Sequence, residues 1–500
     1  MKRIFKLAAL ACVLMPLKAC SLNEDTTAVS VPGDWFRKYN ECQQVVNGCY
    51  MPMKSMYNGA LFLATECVSD LMYCASGTLD ASLDVSPAVP RYASTGWTQG
   101  YLGVQRCNFA VAGIENCGDA ITDAQRAQLL CEAKALRGFY YYFLTSMFGD
   151  VPFYFDDVAD EATMDKVATL PRMSATATRQ AIIDDLKPVA AAVPQVRTCE
   201  APGNRAGAPL AWMVIAKCAL WNKDYDTAVE ALEKLEAIYG DLALYDYEEN
   251  ALLRNKNTPE SILEVQHIYT QGGVSYVSNL SSMNLPTKKI VDEVAYFDGV
   301  EMPEIGEMAT TYAAARPNRW FISSLQTRNG PDIRAKVNMA WEYNGQEFAS
   351  VGTRPWNGPK FWCPGLQASS DGNNYTVFRY ADVMLMLAEC WLYKKDFGKS
   401  IEYLDKTRVR AGIGPYTFRT EARLEEEIRN ERGRELYGEF QRKFDLVRWG
   451  IWYDKVQECS DYTRLKNQMK PCHQYYPIPD IEVVNSGHNL DNKEYEKYGL

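Results

Sequence analysis

Apolar side chains recur every three or four residues along several stretches of the chain, a period that predicts amphipathic helices. In residues 126–147 they form one stripe of Leu129, Ala133, Leu136, Tyr140, Phe143 and Met147. Gly149 and Pro152 follow this stripe and predict that the helix ends there. A last strong stripe begins at Glu421 and predicts a helix that continues through Ile428, Leu436, Phe440 and Phe444 to about Trp449.

This last helix is unusually dense in charge, because acidic and basic residues alternate along residues 429–448. Many stand three or four positions apart with opposite sign, so they can pair along the helix surface. The pattern favours a solvated or salt-bridged structural helix over an anion-binding site.

One helical unit occurs twice in the sequence. Residues 216–234 align without gaps on residues 388–406, with identical residues at Ala216/Ala388, Cys218/Cys390, Leu220/Leu392, Lys223/Lys395, Asp224/Asp396, Glu230/Glu402, Leu232/Leu404 and Lys234/Lys406. Two amphipathic helices joined by a short Lys-Asp-aromatic turn are typical of a tetratricopeptide-like hairpin. Since one hairpin cannot bury its apolar face alone, several are expected to stack.

Residues 241–380, between the two hairpins, are rich in Gly, Pro, Asn, Ser and aromatic residues and show few helical stripes. Long irregular segments carried by a rigid scaffold are usually functional. The sequence therefore predicts a mostly α fold, in which a tetratricopeptide-like helical hairpin scaffold carries a loop-rich ligand-binding face.

The N-terminus has the pattern of an export signal. Basic residues at the start precede the apolar run 7–17, which is too short to span a bilayer but suits a signal peptide. The run ends in Leu17-Lys18-Ala19-Cys20, which resembles a bacterial lipobox except at Lys18. We expect a lipoprotein signal peptide at 1–19, lipidation at Cys20, an acylated tether over 20–40 and a single domain over 41–500.

The charge balance narrows the classes of partner. The whole chain carries a formal net charge of −10, and removal of the four basic residues before Cys20 would make it −14. An acidic chain repels nucleic-acid phosphates, so nucleic-acid binding is not expected. With three His and 15 Cys, widely scattered, we expect no metal site and no cofactor, and most cysteines should be small buried apolar residues.

The sequence contains no recognisable catalytic or nucleotide-binding motif, and no carboxylate stands out as a glycosidase acid or nucleophile. We therefore expect a binding protein and not an enzyme. Flat aromatic rings at a surface can stack on sugar rings. The candidate platforms are Trp97, Tyr296, Trp320, Trp341 and Trp356. Trp97 follows a loop rich in Pro, Ser and Gly, from which its ring could face outwards; for each ring the alternative is a place in the core.

Four segments, in order, resemble the SusD/RagB family of outer-membrane nutrient-binding lipoproteins. They are residues 132–142 with Phe148-Gly149-Asp150-Val151-Pro152, residues 379–389, residues 430–450 ending in Asp445-Leu446-Val447-Arg448-Trp449-Gly450, and Tyr476-Pro477-Ile478-Pro479.

This resemblance implies a cell-surface lipoprotein of the outer membrane that captures oligosaccharides or polysaccharides and delivers them to a SusC-like TonB-dependent transporter. It also implies that the helical face sits on that transporter and that the loop-rich face holds the ligand. Three alternatives stay open: capture of peptide or another nutrient on the same scaffold, a surface glycosidase, and a structural adaptor without a small ligand.

Overall fold

The computed structural model describes residues 35–74, 80–270, 276–325, 328–352 and 354–500. The predicted signal peptide, Cys20 and most of the predicted tether lie outside these residues. In the described ranges, none of the helices combines the length and apolar character needed to cross a bilayer.

Helices account for most of the regular structure, which confirms the predicted mostly α class. The α-helices are α1 (Tyr39–Met56), α2 (Gly59–Thr65), α3 (Tyr92–Asn116), α4 (Asp123–Phe148), α5 (Glu161–Ala168), α6 (Ala175–Ala191), α7 (Ala208–Trp221), α8 (Tyr225–Tyr239), α9 (Tyr247–Ala251), α10 (Leu280–Asn284), α11 (Arg319–Ser324), α12 (Arg334–Val337), α13 (Tyr380–Tyr393), α14 (Phe397–Arg410), α15 (Glu421–Glu435), α16 (Arg442–Arg448), α17 (Trp452–Cys459), α18 (Thr463–Gln468), α19 (Asp480–Asn485) and α20 (Lys493–Glu496). Short 3-10 turns lie at Gly118–Ala120, Thr198–Glu200, Pro202–Asn204, Leu242–Leu244, Pro359–Phe361 and Pro471–Gln474.

The two predicted hairpins are present, as α7 with α8 and α13 with α14. Their turns are built alike: Lys223 and Lys395 both adopt a left-handed backbone, with φ of 59° and 65°. The Asp that follows each lysine caps the next helix, and its carboxylate accepts a backbone N–H at 3.1 Å in the first hairpin and 3.0 Å in the second. The internal repeat in the sequence is therefore a structural repeat, and α8 packs against α13 so that the hairpins stack.

The N-terminal half extends this stack through α1, α3, α4 and α6, each packed against the next. Thr122 and Gln125 form a capping box at the start of α4, and Gly149, with φ of 73°, ends it as predicted. Gly103 lets α3 approach α4 closely, because a Cβ at this position would stand 2.4 Å from the ring of Tyr140. The helices share one continuous apolar core.

The segment between the hairpins forms small sheets and loops, as its composition predicts. Its strands, together with β1 from the N-terminal half, are β1 (Met72–Cys74), β2 (Ser261–Val265), β3 (Lys288–Val291), β4 (Val294–Phe297), β5 (Val300–Glu301), β6 (Ala315–Pro317), β7 (Met339–Ala340), β8 (Glu342–Tyr343), β9 (Gln346–Glu347), β10 (Trp356–Asn357) and β11 (Tyr375–Arg379). All pairings are antiparallel: β1 with β6, β7 with β10, β2 with β11, β8 with β9, and β3-β4-β5 in one three-stranded sheet.

The prediction of one continuous helix from Glu421 to about Trp449 is wrong, because the chain breaks between α15 and α16. Gly438 and Phe440 have φ of 75° and 61°, which no right-handed helix accepts. The break brings Tyr437 into a stack with Phe321 at 4.6 Å between ring centroids. Apolar packing of the intervening aromatic residues thus overrides the helical period.

The charges of these helices are salt-bridged, one of the two predicted states, but most of them are buried and not on a solvated face. Arg334, from α12, contacts both Glu431 and Glu435, at 2.7 and 3.2 Å, and all three side chains are fully buried. Arg379 binds Glu435 at 2.7 Å and Glu439 at 3.0 Å. Most pairs therefore join distant parts of the chain, although neighbours such as Arg434 and Glu431 do pair within α15 as predicted.

These ion pairs hold the buried carboxylates in the charged form. Burial alone would raise the pKa of Glu431, but Arg334 and Arg434 outweigh it and hold that pKa at about 2. The same balance, with Arg410 and Arg379 as the main cations, holds the pKa of Glu435 at about 2.

Ten of the 13 cysteines in the described ranges are buried, which confirms that most are small core residues. Within those ranges, no group of three or more His, Cys, Asp or Glu side chains is placed to hold a metal ion.

Candidate functional site

The five predicted aromatic platforms fall into two groups. Trp97 and Trp356 are 5% and 4% exposed, so the expectation that their rings stand at a surface is wrong. Tyr296, Trp320 and Trp341 are half-buried, which leaves part of each ring available to a ligand.

Trp97 is buried because α3 lies close to α4. Its ring packs edge-on against Phe148 at 5.1 Å and against Tyr101 at 4.9 Å between centroids. Trp356 is covered on one face by the guanidinium of Arg316, 3.7 Å from the ring centroid. Both tryptophans therefore support neighbouring residues and offer no open face themselves.

A second, smaller core organises the loop-rich segment and includes Phe297, Val300, Phe348, Trp356 and Trp362. Trp341 and Tyr343 pack against it from the outside. Asp298 ties the core together, because its Oδ2 accepts hydrogen bonds from Trp356 Nε1 at 2.8 Å and from Ser350 Oγ at 2.6 Å. The irregular chain around Trp341 thus rests on a rigid base.

Trp341 lines a cleft of about 510 Å³, the Trp341 cleft. Its walls combine aromatic rings with charged and amide side chains, and include Arg254, Glu304, Arg328, Asn329, Lys336, Trp341, Tyr343, Asn344 and Trp362. Arg328 lies 5.6 Å from the centre of the Trp341 ring and forms a 2.6 Å ion pair with Glu342. A cleft of this size with flat rings and several donors and acceptors suits a ligand of one or a few sugar units.

A second candidate surface, the arginine surface, consists of Tyr73, Arg316, Trp320, Arg354 and Tyr462. The β1–β6 pairing places Tyr73 directly opposite Arg316. The guanidinium of Arg354 lies 4.9 Å from the centre of the Tyr73 ring, and the Tyr73 and Tyr462 rings are 6.4 Å apart. Tyr73 itself is buried, so the surface offers the half-buried rings of Trp320 and Tyr462 together with two guanidinium groups.

Trp320 closes one edge of the arginine surface, where the ammonium of Lys455 lies 4.3 Å from the centre of its ring. Asp461 provides a negative charge, in ion pairs with Arg354 at 3.1 Å and with Arg319 at 3.5 Å. The two candidate sites adjoin through the sheets, since β10 packs against β6 and pairs with β7, the strand that leads into Trp341.

Tyr296 occupies a separate position on the three-stranded sheet, between Lys289 of β3 and Glu301 of β5. A hydrogen bond to Glu301 raises the pKa of the Tyr296 hydroxyl. Ile290 and Val291 on the neighbouring strand are 56% and 51% exposed, so the tip of this hairpin projects into solvent. The structure thus separates Tyr296 from the surfaces around Trp320 and Trp341.

Sequence reasoning missed Tyr73, Arg316, Arg354 and Tyr462. None of them belongs to a recognisable motif, and they come together through contacts between distant parts of the chain, such as the pairing of Tyr73 with Arg316 across more than 200 positions. Only the position of Arg316, four residues before Trp320, gave a local hint.

Comparison with known proteins matches two family models. The model described as "SusD family" covers residues 365–495, and the model described as "Starch-binding associating with outer membrane" covers residues 42–220. The chain belongs to the SusD-like family. Both matches include segments whose resemblance to this family was visible in the sequence.

Two SusD-like relatives are similar over nearly the whole chain. SusD-like protein P25 of Formosa agariphila is 23% identical and covers 92% of this chain and 93% of its own. SusD-like protein P2 of the same organism is 25% identical and covers 87% of this chain and 89% of its own.

Solved SusD-like structures share the fold. A SusD homolog from Bacteroides thetaiotaomicron has a TM-score of 0.75 at 17% identity and covers 91% of this chain and 97% of that one. Surface glycan-binding protein A of the same organism, solved in complex with laminarihexaose, has a TM-score of 0.70 at 18% identity and covers 90% and 98%.

Proposed function

We propose that this SusD-like protein captures oligosaccharides or polysaccharides at the cell surface, without cleaving them, and delivers them to a SusC-like TonB-dependent transporter. The observation that carries the proposal is the Trp341 cleft, where half-buried rings and polar side chains meet in the loop-rich segment. Membership of a family with glycan-binding relatives supports it.

The chemistry of the cleft fits a sugar better than a compact charged ligand. A half-buried indole offers one apolar face to the C–H groups of a pyranose ring, worth on the order of 1–2 kcal/mol. Amide and charged side chains such as Asn329, Asn344 and Glu304 can exchange hydrogen bonds with hydroxyl groups. No catalytic motif accompanies them in the sequence, and we therefore propose binding without turnover.

Calorimetric titration of the chain from Ser21 onward against oligosaccharides, polysaccharides and peptides tests the capture role. We expect saturable binding to one glycan class, and analysis of each mixture should recover the glycan intact. Trp341→Ala and Trp320→Ala should each weaken binding about five- to thirtyfold. Trp391→Ala is the matched control, because Trp391 is half-buried on helix α13 of the scaffold.

Other outcomes separate the alternatives. Binding to peptides only would replace the glycan by another nutrient, and breakdown products would establish an enzyme. No binding to any compound, or equal weakening by Trp391→Ala, would remove the support that the cleft gives to this proposal.

Anchoring and delivery form the second half of the proposal. Acylation at Cys20 would hold the protein at the outer membrane, because lipid chains anchor a protein without spanning the bilayer. Cys20→Ser should move the protein from the membrane fraction to the soluble fraction. Co-purification of the wild-type protein with a TonB-dependent transporter from solubilised outer membranes would support delivery, and its isolation without a transporter would count against it.

A further inference from the structure

Arg316 is a half-buried cation without a carboxylate partner. Its Nε donates to the Pro355 carbonyl at 3.2 Å and its Nη2 donates to the Arg354 carbonyl at 2.8 Å, while its plane lies on Trp356. In the described ranges no Asp or Glu oxygen lies within 4 Å of this guanidinium. Burial accordingly lowers the pKa of Arg316.

The residues around Arg316 increase the excess of positive charge. Arg354 lies beside it and shares the carboxylate of Asp461 with Arg319. Lys455 adds a fourth positive charge and its partner, Glu458, is 68% exposed. The arginine surface is therefore locally cationic on a chain whose formal net charge is −10.

A guanidinium that is partly removed from water and forms no ion pair carries an unmet electrostatic cost, which the more distant Asp298 offsets only in part. Two backbone carbonyls and the Trp356 ring fix its plane but do not neutralise its charge. A planar, pre-oriented guanidinium is the group that best recognises carboxylate or sulfate oxygens. The half-buried rings of Trp320 and Tyr462 provide apolar surfaces for the rings of a polymer.

We infer that the arginine surface recognises a negatively charged glycan, whose carboxylate or sulfate groups bind at Arg316 and Arg354 while its sugar rings contact Trp320 and Tyr462. This inference rests on the proposed capture role and narrows its ligand to one chemical class. Uronate carboxylates and sulfate groups both present the anionic oxygens that the two guanidinium groups would bind.

Matched pairs of polymers test the inference. Polygalacturonate is compared with its methyl ester, and a sulfated polysaccharide with its desulfated form, by calorimetry on the chain from Ser21 onward. The charged member of at least one pair should bind at least tenfold more tightly, and the pair that shows the preference identifies carboxylate or sulfate. Raising NaCl should weaken binding of the charged polymer and leave the uncharged one unchanged.

Substitutions test whether the preference for the charged polymer arises at Arg316. Arg316→Ala should lower affinity for the charged polymer about tenfold and leave affinity for the uncharged polymer within twofold. Arg316→Lys should fall between, because lysine keeps the charge but loses the planar fork. Arg423→Ala, which removes a cation that is 66% exposed on α15, is the matched control and should change neither affinity.

Thermal unfolding of each variant checks that it folds. Arg316 packs on Trp356, so its substitution also removes a packing contact. Arg319→Ala therefore provides a second variant, which removes a cation whose side chain is 64% exposed. Equal binding of both members of every pair, or binding of uncharged glycans alone, would overturn this inference and leave the capture role intact. Binding of no polymer at all would overturn both.

Discussion

Lys217 and Asp382 form a buried ion pair of 2.6 Å between the first and second helical hairpins. Arg432 binds the same carboxylate at 2.8 Å, so one aspartate balances cations from two other helices. Burial alone would raise the pKa of Asp382, but Lys217 and Arg432 outweigh it and lower that pKa. This carboxylate therefore joins the two repeats to each other and to the C-terminal helix α15.

Asp382→Asn should destabilise the protein by roughly 3–5 kcal/mol, because it leaves the buried Lys217 without its carboxylate partner and Arg432 with Asp445 alone. Urea unfolding measures the loss. The control is Asp226→Asn. Asp226 pairs with Lys394, and its side chain is 85% exposed. That change should cost at most about 1 kcal/mol. Equal losses in the two variants would contradict the role assigned to Asp382.

Lys223→Gly should stabilise the first hairpin by about 0.5–1 kcal/mol. Lys223 holds φ at 59°, a conformation that costs an L-residue roughly 1–2 kcal/mol and glycine very little. The same substitution at Lys234, exposed within α8, should destabilise by about 1 kcal/mol. Urea midpoints that move in the same direction for both variants would show that the turn is not strained.

Asp298→Ala should loosen the base of the Trp341 cleft. The substitution removes the acceptor for Trp356 Nε1 and for the hydroxyl and N–H of Ser350, with an expected loss of about 2–3 kcal/mol in stability. We also expect a several-fold loss of glycan affinity, measured by calorimetry. Glu307→Ala, at an exposed position nearby in sequence, should alter neither property.

Lys443 should make stability rise with pH above neutrality. Its ammonium is buried between Tyr476 and Trp452, 4.2 and 5.2 Å from the ring centres, and burial lowers its pKa from 10.5 to about 7. Between these two values the unfolded chain binds one more proton than the folded chain. The free energy of unfolding should therefore increase by up to about 1.4 kcal/mol per pH unit.

The comparison with Lys443→Met isolates this effect. From pH 7 to 8.5 the wild-type stability should rise relative to the variant, whereas Lys234→Met, at an exposed lysine, should follow the wild type. Glu66 acts in a different window, because burial raises its pKa to about 7 and its contribution falls between pH 4.5 and 7. Parallel curves for wild type and Lys443→Met above pH 7 would contradict the assignment.

The repeated hairpins and the end of α4 could be predicted because their determinants are local. Asp224 and Asp396 cap helices within three residues, and Gly149 ends α4 at its own position. The second helix of each hairpin, α8 and α14, also shows an apolar stripe of the right period, because it buries one face and exposes the other.

The break at 436–441, the buried charges and the arginine surface could not be predicted in the same way. Gly438 turns the chain next to Tyr437, whose ring stacks on Phe321. Phe321 lies more than 100 positions earlier in the sequence. Trp97 and Trp341 occur in equally ordinary local contexts, yet one is buried against Phe148 and the other lines a cleft. What decides each of these outcomes is tertiary packing, which no short window of sequence contains.

The buried ion pairs also set an order of events for folding. Arg379 forms ion pairs with Glu260, Glu435 and Glu439. Arg334 forms ion pairs with Asp332 and Glu431. A growing chain that ends before residue 431 would have to bury Arg379 with Glu260 as its remaining carboxylate and Arg334 with Asp332, without the glutamates of the C-terminal helices. We therefore expect the region around the second hairpin to stay open until the C-terminal helices arrive, a delay that would suit the export proposed for this chain.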